Sequence, residues 1–117
     1  MLFNFERFTE CAKLAYRHFE NSPYSLNDVL AVFKYYFETY EYVLGQVHPP
    51  IKVKQIRDII MKMPFFDERG INVDLTVEDY EILIDQHFVT DYRECDYNVI
   101  HFFSGKIREL RYYENFY

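Results

Sequence analysis

From Ser25 to Gly45 apolar residues recur at helical intervals without a gap: Leu26, Leu30, Phe33, Phe37, Tyr40 and Leu44 fall on one line. Val29, Tyr36 and Val43 widen one edge of that line. Ser25-Leu-Asn-Asp28 has the side-chain order of a capping box, with Asp as a shorter stand-in for Glu. Gly45 is placed to end the run, because glycine takes the left-handed backbone that terminates helices. The spacing therefore predicts a helix over 25–44, about five turns long. The remaining chain has to fold around this spine.

The other segments repeat the period. Phe5, Phe8, Ala12, Ala15 and Phe19 predict a first helix over 4–20, broken at Asn21-Ser-Pro-Tyr because Pro23 disfavours helix for the residue before it. His48-Pro-Pro is a second break, and Pro50 suits the first turn of a helix over 51–63 with the seam Val53, Ile56, Ile60 and Met63. Residues 65–75 read as a loop, with a turn at Asp67-Glu-Arg-Gly70 and a short alternating stretch from Ile71 to Leu75. Thr76-Val-Glu-Asp79 repeats the capping-box order ahead of Val77, Tyr80, Ile84 and Phe88. After a polar link at Thr90–Asp96, residues 97–116 carry Val99, Phe103, Ile107 and Leu110.

That last segment has two readings. A hairpin turning at Ser104-Gly105 would make an α+β winged helix-turn-helix with its wing at 98–113. Periodicity favours a helix: Ile107 and Leu110 share one face of a helix and opposite faces of a strand. The expected fold is all-α, one compact domain over 1–117 with about five helices.

Composition limits function more than it defines it. Twelve Phe and twelve Tyr, with no Trp and only three Gly, suit few connections and a ring-filled core. Twelve Tyr hydroxyls cannot all be buried and satisfied, so some rings are expected at the surface. No charge-free stretch approaches the ~20 residues of a membrane span. The start, Met1-Leu-Phe-Asn-Phe, lacks the basic and apolar regions of a signal peptide, which leads us to expect a cytoplasmic protein. Cys11 and Cys95 match no metal or redox spacing and are expected to be buried free thiols, the alternative being a disulfide, which a reducing cytosol disfavours.

The net charge of −6 is uneven. Residues 49–64 carry Lys52, Lys54, Arg57 and Lys62 against Asp58 alone, while 65–97 carry ten acids against Arg69 and Arg93. This disfavours nucleic-acid binding by the whole surface but leaves a basic third helix.

Three sets of residues are candidates for contact. On the second helix Tyr35 and Tyr42 lie about 180° and 160° from the seam, as a paired contact surface or as the bed for another helix. On the third, Lys52, Lys54, Arg57 and Lys62 are the nucleic-acid candidates, with Met61 among them. On a continuous last helix His101, Ser104, Arg108 and Tyr112 would share an outward stripe able to hold an anion. Neither a catalytic signature nor a metal-ligand spacing is present: Asp85 and His87 diverge on a helix, and His87 falls at the core edge. No cofactor or metal is expected.

The first expectation is a non-catalytic interaction or regulatory protein, of a size common in bacteria, phages and mobile elements. It would occlude or recruit a protein partner, or a second copy of itself, through aromatic and acidic surfaces. The other is a helix-turn-helix DNA-binding regulator using the basic helix. It is weakened by Glu78, Asp79, Glu81 and Asp85 on the helix that would read the groove.

Overall fold

The computed structural model describes residues 3–19, 22–89, 96–104 and 107–116. The helices are α1 (Phe5–Tyr16), α2 (Leu26–Leu44), α3 (Val53–Lys62), α4 (Val77–Val89), α5 (Val99–Phe103) and α6 (Ile107–Phe116). The fold is all-α. The only pairing of strand type among the described residues is one antiparallel bridge, Phe66 to Asn72.

The spine forms as its sequence dictates. Ser25 Oγ accepts from the Asp28 amide (3.1 Å) and Asp28 Oδ2 from the Ser25 amide (3.0 Å), so two orphan donors are satisfied reciprocally. Gly45 closes the helix at φ +66° and donates to Glu41 O. Thr76 and Asp79 build the same box at α4, with bonds of 2.9 and 3.1 Å.

Boundaries shift where local chemistry was misjudged. α1 stops at Tyr16 and gives way to a turn at Arg17 and His18. Pro50 lies in the segment ahead of α3. That helix starts at Val53, two residues later than expected, where Gln55 Oε1 takes the Lys52 amide at 2.9 Å. The last helix is two: Ser104 is extended (φ −92°, ψ 156°) and divides α5 from α6, giving six helices among the described residues where about five were expected. Both arms of the hairpin alternative are helical where described, so the winged form is ruled out. Asn21, the link Thr90–Cys95 and Gly105 lie outside the described residues.

α2 is buried on two sides, between α1 and α4, while α3 packs on α1 and α5, and α6 on α4 and α5. Fully buried Ala12 and Ala15 let α1 approach its neighbours closely. α2 and α4 run parallel: Tyr24 meets Tyr80 at their starts (6.2 Å), and Tyr36 meets Phe88 near their ends (5.1 Å).

Three of the buried tyrosines donate to distant backbone carbonyls, while Tyr40 accepts from the Gln46 side chain (3.5 Å). Tyr24 donates to Leu75 O (2.6 Å), Tyr36 to Tyr97 O (2.6 Å) and Tyr80 to Met63 O. Each ring fills the core while its hydroxyl satisfies a carbonyl that no helix uses. Burial pushes the Tyr24 and Tyr80 hydroxyls up, which keeps them protonated donors.

Two histidines are also in the core. His48, 1% exposed, donates through Nδ1 to Pro49 O (2.7 Å) and accepts the Val99 amide at Nε2 (3.0 Å), so a neutral ring ties the 48–50 segment to the start of α5. His87 sits fully buried among Tyr36, Phe88, Tyr97 and Phe102, as its place beside Phe88 suggested.

Candidate functional site

On α4 the residues turned inward are Tyr80, Leu83, Ile84, His87 and Phe88. Those opposite form an outward stripe, Glu78, Ile82, Asp85 and Val89, at helical spacing. Ile82 is 44% and Val89 75% exposed, a large apolar display for a helix packed on its other side.

A single bond joins this stripe to α2. Tyr35 donates to Asp85 Oδ1 at 2.7 Å, fifty positions away in sequence. That hydrogen bond, with burial and the Asp85 and Glu81 charges, pushes the Tyr35 hydroxyl up to about 12, so it remains a donor at neutral pH. Tyr42 lies two turns beyond Tyr35 on the same flank of α2 and is 90% exposed. Because α2 and α4 run parallel, that step brings Tyr42 alongside the end of α4, where Val89 projects. Glu38, also exposed, stands between the two tyrosines on this flank.

The result is a joint face with Tyr42, Ile82 and Val89 as its apolar elements and Glu38, Glu78 and Asp85 as its acids, Glu38 being paired with Lys34 (3.9 Å). The two expectations for the tyrosine pair thus divide: Tyr35 is half-buried and engaged with α4, while Tyr42 projects freely from the molecule. Ile82 and Val89 lie opposite the seam of Val77, Tyr80, Ile84 and Phe88, so helical spacing alone gives them no role.

The stripe predicted on the last helix is not formed. Its angles assumed a continuous helix, and the break at Ser104 resets the phase. His101 alone is exposed, on α5. Arg108 turns inward: its guanidinium lies over Phe65 (5.2 Å) and Phe103 (5.7 Å), and Nη1 donates to Lys62 O and to Tyr80 Oη (3.4 Å). A cation held at the end of α3 suits that helix's dipole, so Arg108 pins α6 to α3. Tyr112 packs on Phe65 (4.9 Å) and Phe116 (5.7 Å). Both are structural contacts.

The α3 cations fare differently. Lys52, Lys54 and Lys62 are exposed and Arg57 is half-buried, with Met61 between them at 61% exposure. The 65–73 loop is held by Asp67, which accepts the amides of Arg69 (2.8 Å) and Ile71 (3.0 Å) and the Arg69 side chain (3.0 Å), leaving Phe66 and Ile71 outward. The Ile71 amide first, with Arg69, holds the Asp67 carboxyl below its usual range.

Among the described residues no group of His, Cys, Asp and Glu is arranged to hold a metal ion, and no helix is long and apolar enough to cross a membrane. Cys11 is a free, half-buried thiol; Cys95 lies outside the described residues. Comparison with family models, curated proteins and solved structures finds no match to the chain.

Proposed function

We propose that this chain is a non-catalytic interaction protein that engages a basic protein surface through the joint face of α2 and α4. The observation that carries the reading is the 90% exposure of Tyr42 on the flank of α2 that Tyr35 joins to α4, a helix that itself displays exposed Ile82 and Val89 with Glu78 and Asp85. An aromatic side chain surrounded by a charged rim is the usual composition of an interface anchor, since tyrosine adds area at small entropic cost. The carboxylates would speed encounter with a cationic partner and discriminate against acidic ones. Occlusion or recruitment follows from which surface of the partner is covered.

The DNA-reading alternative is disfavoured by the same helix. α4 buries one side against α2 and offers Glu78, Asp85 and no Lys or Arg on the other. Phosphates would be repelled where a reading helix must enter the groove.

The test is capture from a lysate of the source cells, with nuclease added, by the unmodified chain and by a Tyr42→Ser, Val89→Ser variant of unchanged helicity. A stoichiometric protein captured by the first and lost by the second supports the reading. Capture that needs nucleic acid, or is indifferent to the substitutions, overturns it.

A further inference from the structure

His48 is buried among rings, Phe3 (6.2 Å) ahead of α1 and Tyr36, Phe37 and Tyr40 of α2 (6.1, 4.8 and 4.7 Å). Its two polar contacts fix one tautomer. A carbonyl can only accept, so Nδ1, 2.7 Å from Pro49 O, carries the proton. An amide can only donate, so Nε2, 3.0 Å from the Val99 nitrogen, carries none. A second proton has one place to go, and there it meets a donor. Among the described residues Asp96 is the charged group that acts on the ring, and the Tyr36 and Tyr40 hydroxyls beside it are bonded to Tyr97 O and to Gln46. Burial holds the ring below its usual range, against the Pro49 carbonyl and the Asp96 charge, which favour the proton.

The Val99 amide opens α5, and the residues around it are strained. Tyr97 takes φ +57°, a left-handed backbone that is costly for a residue with a side chain. It is kept there by the Tyr36 bond to its carbonyl and by its ring, which stacks on Phe88 (5.4 Å) and lies beside His87 (5.2 Å). The Val99 bond to His48 holds the same segment from its other end. Of these two hydrogen bonds, only the one to His48 depends on a free base. We propose that His48 is a proton-operated latch: a proton on Nε2 ejects the Val99 amide and frees residues 97–99 to leave the core, with α2 itself still folded. Such a latch operates whether or not the α2/α4 face is a contact surface.

The sign follows from the two states of the ring. The released ring titrates at its ordinary value of about 6.5 and the latched one lower, so the latch holds fully above that value and is lost as pH falls toward the latched one. At pH ~5 the proton favours release by up to about thirtyfold, the limit set by the free ring alone.

Nuclear magnetic resonance on the unmodified chain tests this. At pH ~7.5 the His48 nitrogens should show the Nδ1–H tautomer, and the Val99 amide should exchange through a local opening, with less protection than Phe33 and Phe37 inside α2. Between pH ~7.5 and ~5, after correction for the slower exchange chemistry in acid, Val99 protection should fall at least about tenfold while Phe33 and Phe37 stay the better protected. His48→Gln offers Val99 an acceptor that takes no proton in this range. Its Val99 protection should fall about tenfold less, leaving whatever part belongs to His87. An Nε2–H tautomer at His48 overturns the inference, as does Val99 protection equal to that of Phe33 and Phe37 at both pH values. An equal fall in His48→Gln also overturns it. Should His48→Gln not fold, the tautomer and the Val99 protection of the unmodified chain decide.

Discussion

Acid should destabilise this fold well before its carboxylates protonate, and His87 sets the amount. The side chain is fully buried among rings, and burial first, then the Arg111 and His101 charges, lowers it from 6.5 to about 4. With a folded value below the unfolded one, the unfolded chain takes up the proton first. The stabilisation is present above the unfolded value and is lost as pH falls toward the folded one. Between pH ~7.5 and ~5 the loss from His87 alone comes to about 2 kcal/mol. His48, also lowered by burial, acts in the same direction because a proton on Nε2 would displace the Val99 amide. Asp67 is lowered from 3.8 and loses its contribution only below that value, outside the window. Urea unfolding followed by circular dichroism at the two pH values measures the difference, and His87→Phe should reduce it by about 2 kcal/mol. An equal acid loss in His87→Phe and the unmodified chain would refute the reasoning.

Other perturbations test the framework and the face. Tyr24→Phe leaves the buried Leu75 carbonyl without its hydroxyl donor and should cost about 1 kcal/mol in urea unfolding. Ser25→Ala removes the cap of the spine helix and should cost about 1 kcal/mol by the same measurement. Gly45→Ala places a side chain at φ +66° and should cost about 1 kcal/mol through backbone strain, since no neighbouring atom lies within 4 Å of the added carbon. Tyr42→Ser should change stability by no more than about 0.5 kcal/mol, because the ring is 90% exposed; a larger loss would place the ring in the fold.

Most of the fold was legible because its signals are local. The box at Ser25 and Asp28, the stop at Gly45 and the period between them need only neighbouring residues, and the structure forms all three. The box at Thr76 and Asp79 is equally local. What escaped depends on distant partners or on phase. His48 looked like part of a proline break, yet its second nitrogen is used by Val99, fifty-one positions away. Arg108 and Tyr112 were assigned to the outside because one extended residue, Ser104, could not be foreseen to turn the helix. The candidate face was half legible: Tyr35 and Tyr42 share a flank by spacing alone. Their neighbours Ile82 and Val89 become part of it only when the Tyr35–Asp85 bond sets α4 alongside.

The central claim is that the α2/α4 face is the surface this protein uses. Hydroxyl-radical footprinting of the free, dilute chain and of its nuclease-resistant complex tests it most directly. Tyr42, Ile82 and Val89 should be oxidised in the free chain and protected together in the complex, with Phe66 and Ile71 on the loop unchanged. Unaltered oxidation of Tyr42 and Val89 in a stoichiometric complex would place the contact elsewhere and contradict the account.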